Sequence, residues 1–309
     1  MIAFVFPGQG AQKVGMGKAL ADAFPICRHA FDEADAALGD PLSRLCFDGP
    51  EEQLLLTANT QPAILAASVA ACRLAESKGV RAAFAAGHSL GEYSAHVAAG
   101  TISFADALRT VRRRGQFMQE AVPVGEGAMS AVLGLDADAI ARVCAEAASA
   151  LGGRIVSPAN LNAPGQVVIA GHHDAVARAG ELARAAGAKR VIPLAVSAPF
   201  HSALMKPAET RLEPVLRSLQ TSEPRIPVVA NVDAQPKRTA SDSIDALVRQ
   251  VSAPVRWEDV VRRLVAEGVR TFVELGPGTV LAGLIKKIDR SVTVTSVQTP
   301  EDLGALEAL

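Results

Sequence analysis

The sequence predicts an α/β fold: a large domain on a parallel sheet, carrying a small inserted subdomain of ferredoxin-like type. Three observations lead there. Short apolar runs alternate with longer helical patterns through most of the 309 residues, which is the rhythm of βα units. A stretch from 128 to 194 breaks that rhythm and reads βαββαβ, a two-layer module of its own. Finally, Gly87-His88-Ser89-Leu90-Gly91 lies between a strand-like run (81–86) and a helix-like run (92–99). A Gly-x-Ser-x-Gly turn in that context is the nucleophile elbow of an α/β-hydrolase-like sheet.

The elements follow in order. Residues 2–6, Ile-Ala-Phe-Val-Phe, form a buried strand ended by Pro7-Gly8. Helices are expected over 19–38 and 61–78, before the strand and helix of the elbow. Ser103 with Asp106 three residues on marks a helix start running to about residue 121. The insert reads strand 128–133, helix 136–150, strands 154–158 and 166–170, helix 174–186 and strand 189–194. Alternation then resumes with helix 203–219, strand 227–231, helices 242–251 and 257–267, strand 271–275, helix 279–287 and strand 292–297. The expected domains are a discontinuous catalytic domain, 1–126 with 196–309, and an insert, 127–195.

Composition narrows the function. Hydrophobic residues make up 49% and aromatics 4%, so Ala, Val and Leu must fill the core. A formal net charge of −1 leaves no basic surplus for nucleic acid or an anionic membrane. Cys27, Cys46, Cys72 and Cys144 are widely spaced and read as reduced, buried thiols. The start lacks a basic, signal-like segment, and no apolar run is long enough to span a bilayer. A soluble, cytoplasmic monomer is expected.

A serine nucleophile needs a base. Of six histidines, His29 and His96 fall in helical patterns and His172-His173 in a turn of the insert. His88 adjoins the serine but points away from it. His201, in Ser197-Ala198-Pro199-Phe200-His201-Ser202 where the chain returns from the insert, is the best placed. In a plain α/β-hydrolase the histidine comes late, after the acid; here 108 residues follow it, and no acid suits. The triple Arg112-Arg113-Arg114 lies on a helix whose apolar stripe includes Ala107, Leu108, Val111 and Met118. Arg113 faces solvent opposite the stripe. Arg112 and Arg114 border it, and either guanidinium fork could reach into a cleft and grip a carboxylate; phase does not separate them. No phosphate loop, dinucleotide fingerprint or metal-ligand spacing is present. Gly8-Gln9-Gly10 after the first strand can supply a backbone N–H to an oxyanion.

Five dispersed segments carry a family resemblance: Phe6-Pro7-Gly8-Gln9-Gly10-Ala11-Gln12, Gly87-His88-Ser89-Leu90-Gly91-Glu92, Arg-Gly-Gln-Phe-Met-Gln at 114–119, Pro199-Phe200-His201-Ser202, and Gln250. Together they resemble the malonyl-CoA:acyl carrier protein transacylases of fatty acid synthesis, relatives of polyketide synthase acyltransferase domains. The resemblance implies Ser89 as nucleophile and His201 as its base. It implies Gln250 as the residue whose backbone carbonyl orients the histidine, and the amides of Gln9 and Leu90 as the oxyanion hole. It implies Arg114 as the grip on the malonyl carboxylate, with Gln250, Asn160, Asn162, Phe200 and His88 around the substrate. Gly276-Pro277-Gly278 matches too, as either a strand-to-helix turn or a pocket edge. The implied partners are malonyl-CoA and acyl carrier protein, with no cofactor and no metal. A free-standing polyketide acyltransferase, a serine esterase or thioesterase, and an idle carrier-docking module are the alternatives; rapid release of CoA without carrier marks the esterase, and carrier binding without acyl transfer marks the docking module.

Overall fold

The computed structural model describes residues 1–123, 125–196 and 198–307. Val124 and Ser197, close to the two expected domain boundaries, and the last two residues lie outside that description. The strands are β1 Ile2–Phe6, β2 Phe84–Gly87, β3 Gly127–Leu133, β4 Val156–Ala163, β5 Gln166–His172, β6 Arg190–Pro193, β7 Val228–Val229, β8 Pro236–Lys237, β9 Thr271–Leu275 and β10 Thr293–Val297. The α-helices are α1 Lys18–Ala23, α2 Pro25–Leu38, α3 Leu42–Asp48, α4 Glu51–Leu54, α5 Thr57–Ser77, α6 Gly91–Ala98, α7 Phe104–Glu120, α8 Ala137–Ala150, α9 His173–Ala185, α10 Lys206–Arg217, α11 Ala240–Gln250, α12 Trp257–Ala266, α13 Val280–Ile288 and α14 Leu303–Glu307.

Six strands form the large sheet in the order β10-β9-β1-β2-β7-β8, parallel except for the β7–β8 hairpin. Its central strand is apolar on both faces. Phe4 and Phe6 enter the core that includes α2, α5 and α7, and Ala3 and Val5 enter the core under α12 and α13. Alternation of period two thus feeds two cores, which is why the run reads as continuously hydrophobic. Strand order reverses beside β1, and ligands bind outside the carboxyl ends of strands at such a point.

The second sheet has the order β4-β5-β3-β6 and is antiparallel throughout. With α8 and α9 it encloses a separate core that includes Val132, Ile140, Val167, Ile169 and Val176. This is the ferredoxin-like subdomain expected from βαββαβ. It is tied down at β4, where Leu161 N–H donates to the Val255 carbonyl and Val255 N–H to the Ala159 carbonyl, both at 2.8 Å.

Several elements differ from expectation, each for a local reason. The helix over 19–38 is two helices. Pro25 opens α2, and the residue before it, Phe24, is extended at φ −131° and ψ 119°, as steric conflict with a proline ring requires. Helix α5 begins four residues before 61 and holds Pro62 in its second turn. β4 runs on to Ala163 through two register shifts, so irregular pairing hid it from a period-two reading. The strand expected over 227–231 is β7, shortened to Val228–Val229; its partner β8 and the short α3, α4 and α14 carry no pattern long enough to read. His96 is wholly buried, and all four cysteines are buried free thiols.

The elbow is a contact of backbone on backbone. A Cβ on Gly91 would lie 2.0 Å from the Phe6 carbonyl oxygen, and one on Gly87 would lie 1.9 Å from the Gly91 carbonyl carbon. Neither neighbour is a flexible side chain, so a methyl group forces the strand and helix apart. Gly91→Ala should therefore cost at least ~1–3 kcal/mol, as overpacking does, and lower Tm by several degrees in a thermal melt. A melting temperature equal to the parent's would contradict the close approach of α6 to β1.

Candidate active site

The carboxyl ends of β1, β2 and β7 converge on one cavity of about 290 Å³. β1 delivers Gln9 through the Pro7-Gly8 turn and β2 delivers Ser89 to the cavity wall, while β7 brings Asn231 in, buried, behind Ser89. The insert covers the opening with Met129, Asn160 and the return segment 194–196, and the segment beyond contributes Phe200 and His201.

Ser89 stands in left-handed backbone at φ 51°, and so does His201 at φ 58°. Non-glycine residues held there cost about 1–3 kcal/mol each and concentrate at functional sites. The two side chains meet: Ser89 Oγ is 2.7 Å from His201 Nε2. His201 Nδ1 faces two backbone carbonyls, Gln250 at 3.0 Å and Ala253 at 3.1 Å. Carbonyl oxygens only accept, so the ring proton sits on Nδ1 and donates to them. Nε2 then presents its lone pair to the serine hydroxyl. Burial, then the positive charge of Arg114, then His88, push the His201 pKa down to about 3. The imidazole is neutral and able to take a proton at neutral pH.

Arg114 is the buried arginine of the triple, 2% exposed. Arg112 pairs with Asp40 at 2.7 Å, and Arg113 is exposed, so tertiary packing separates what helical phase left open. The Arg114 guanidinium donates to Gln61 Oε1 at 2.9 Å, Ser89 Oγ at 3.1 Å and Gln250 Oε1 at 3.0 Å, and it lies 5.5 Å from the Tyr93 ring centroid. All of these partners are neutral, so its charge is available to an anion in the cavity.

Of the remaining expected residues, Gln9, Leu90, His88, Asn160 and Phe200 line the cavity. The amides of Gln9 and Leu90 donate to no other group among the described residues. The Ser89 amide is engaged by Asn231 Oδ1 at 2.7 Å, so the free donor at the elbow is Leu90 N–H. Gln250 and Asn162, expected around the substrate, do not line the cavity. Gln250 is fully buried behind Arg114 and His201, and Asn162 Oδ1 lies 2.8 Å from His88 Nε2, joining insert to elbow.

Three residues with no assigned role prove to belong here. Asn231 spans the elbow, accepting from Ser89 N–H and donating to the Gly87 carbonyl at 2.7 Å. Its place just beyond a strand end was the available signal. Glu92, wholly buried one turn after the serine, accepts from Asn231 N–H at 2.9 Å and Gln250 Nε2 at 2.8 Å. Gln61 holds Arg114 and had no signal in sequence. Among the described residues no group of His, Cys, Asp and Glu could hold a metal ion, and no helix is long and apolar enough to cross a membrane.

A parallel α/β sheet, a serine elbow against a histidine and a buried arginine on the same cavity define the class: the protein is an acyltransferase. Comparison with known proteins gives the family. The acyl transferase domain family matches residues 3–304, and the chain belongs to it. It is 52% identical over 304 residues to the malonyl CoA-acyl carrier protein transacylase of Escherichia coli K12, covering 98% of this chain and 97% of that one. It is 50% identical over 302 residues to the transacylase of the same name from Bacillus subtilis 168, covering 98% and 95%. Among solved structures, a malonyl-transacylase in complex with its type II PKS acyl-carrier protein superposes with a TM-score of 0.97 at 50% identity, covering 100% of this chain and 99% of that one.

Burial pushes the Glu92 pKa up to about 7; hydrogen bonds from Asn231 and Gln250 oppose it. The unfolded carboxyl titrates near 4.3. Between those values the folded chain binds more protons than the unfolded one, so this group's contribution to stability falls as pH rises from about 4.3 toward 7. Glu92→Gln should remove that slope. Urea denaturation of parent and variant across this window measures it; parallel curves would rule out the shift.

Proposed function

We propose that this chain transfers a malonyl group from malonyl-CoA to the phosphopantetheine thiol of acyl carrier protein, by way of an ester on Ser89. One observation carries the reading: the nucleophile Ser89, its base His201 and the carboxylate-gripping Arg114 meet within hydrogen-bond distance at one atom, Ser89 Oγ.

The steps follow from that geometry. His201 Nε2 takes the Ser89 proton as Oγ attacks the thioester carbonyl. The oxyanion lies between the amides of Gln9 and Leu90, each donor stabilising the transition state by about 3–4 kcal/mol. The carbon–sulfur bond breaks, and the CoA sulfur leaves with the proton from His201. In the second half, His201 takes the proton of the carrier thiol, the sulfur attacks the ester carbonyl, and Ser89 departs with that proton. Backbone carbonyls of Gln250 and Ala253 hold the imidazole in the required tautomer, the task a carboxylate performs in a triad. Arg114 exchanges its hydrogen bond to Ser89 Oγ for the malonyl carboxylate as malonyl-CoA binds, and keeps that carboxylate in the ester. The apolar wall of Met118, Met129, Leu194 and Phe200 keeps water from the ester. The chemistry draws on side chains and backbone alone, and we assign the protein to the cytoplasm as a monomer without a cofactor. Fatty acid synthesis is the pathway this serves. A second reading, transfer to a polyketide carrier, is favoured by the likeness to a transacylase solved with its type II PKS acyl-carrier protein; competition between the two carrier types decides between them.

Mass spectrometry after mixing with malonyl-CoA should show one malonyl group on the parent and none on Ser89→Ala; a malonylated alanine variant refutes the mechanism. Arg114→Ala should lose roughly 10- to 150-fold in kcat/KM for malonyl-CoA relative to acetyl-CoA, the worth of a charged hydrogen bond. The same variant removes a positive charge that depresses His201, so the acid limb of its pH–rate profile should move to higher pH. An unshifted limb would mean that a group other than His201 governs it.

A further inference from the structure

The reaction above gives Glu92 no part, yet its carboxylate is buried within the site. Between it and Arg114 stands the side-chain amide of Gln250. That amide has two unlike ends. Its Nε2 donates to Glu92 Oε2 at 2.8 Å and to the Ser89 carbonyl at 2.9 Å, and its Oε1 accepts from Arg114 Nη2 at 3.0 Å. Turned by half a rotation, it would aim a donor at the guanidinium and an oxygen at two oxygens. The Ser89 carbonyl alone is a weak guide to that orientation; a second acceptor oxygen for the same Nε2, Glu92 Oε2, reinforces it. Glu92 is held in turn by Asn231 N–H, on the strand end that also anchors Ser89.

We propose that Glu92 is a positioning residue for acyl selection: it fixes the Gln250 amide so that Oε1 faces Arg114, and thereby holds the guanidinium beside Ser89 Oγ. The proposal rests on the malonyl-transfer reading given above. Its physical sense lies in the interposed amide. A carboxylate in direct contact with Arg114 would take the charge that the acyl carboxylate needs and would compete with it. An amide oxygen orients the guanidinium while leaving it uncommitted.

The test is kcat and KM with malonyl-CoA and with acetyl-CoA for Glu92→Leu, Glu92→Gln and Gln250→Met, each alone and combined with Arg114→Ala. Glu92→Leu and Gln250→Met should each lower the malonyl-over-acetyl ratio of kcat/KM by about tenfold or more, chiefly through KM for malonyl-CoA. Glu92→Gln, which keeps an oxygen for the same donors, should retain most of the ratio. With Arg114→Ala present, none of the three should change it further. Equal losses for both acyl groups in either background would make Glu92 a structural part of the elbow and overturn the proposal. If Glu92→Leu does not fold, Gln250→Met decides, because its backbone carbonyl still orients His201; an unchanged ratio there overturns the proposal. A parent enzyme without preference for malonyl over acetyl would instead overturn the underlying reading first.

Discussion

The site depends on how closely α6 is pressed against β1. Gly91 lies against the Phe6 carbonyl and Gly87 against Gly91, a distance that tolerates no Cβ at either position. That contact drives Ser89 into left-handed backbone at φ 51° and sets its hydroxyl above the sheet at the start of a helix. The conformational cost, about 1–3 kcal/mol for a non-glycine residue, is offset by what surrounds it. Asn231 bonds both the Ser89 amide and the Gly87 carbonyl, and the two cores pack each face of β1.

From this turn the electrostatics follow. A buried arginine, a buried carboxylate and a buried imidazole share one small volume, and burial shifts each toward its neutral form: Arg114 and His201 are lowered, Glu92 is raised. For His201 the shift keeps the imidazole neutral, the form that can take a proton. For Arg114 it is opposed by the nearby Tyr93 and Glu92. Gln250 connects the groups by using both halves of itself, its backbone carbonyl on His201 and its side-chain amide on Arg114 and Glu92. One residue thus stands behind both His201 and Arg114, which ties the imidazole and the guanidinium to a single helix end.

Much of this was legible beforehand, for identifiable reasons. β1, β9 and the insert's elements other than β4 are regular and end at glycine, proline or a helix cap, so period and punctuation gave them away. Ser89 was legible because the elbow demands glycine at fixed offsets, and His201 because other histidines lay in unsuitable places. The break at Phe24, the early start of α5 and the bulged length of β4 were not, since each depends on a proline or an irregular pairing that interrupts period. Gln61, Glu92 and Asn231 carry ordinary residue types in ordinary contexts; only their convergence from three elements makes them part of a site.

Sequence by itself determined the α/β class, the inserted subdomain, the serine at the elbow and the family resemblance, because each is written in local spacing or in motifs read along the chain. Tertiary structure alone decided that Gln250 and Asn162 stand behind the cavity rather than on its wall and that Leu90 rather than Ser89 keeps a free amide; it also turned Arg114 inward, as the resemblance implied and helical phase by itself could not say. Those are choices among chemically equal candidates. They are settled by residues up to 161 positions apart that meet only when the sheet has closed and the cores on its two faces have formed.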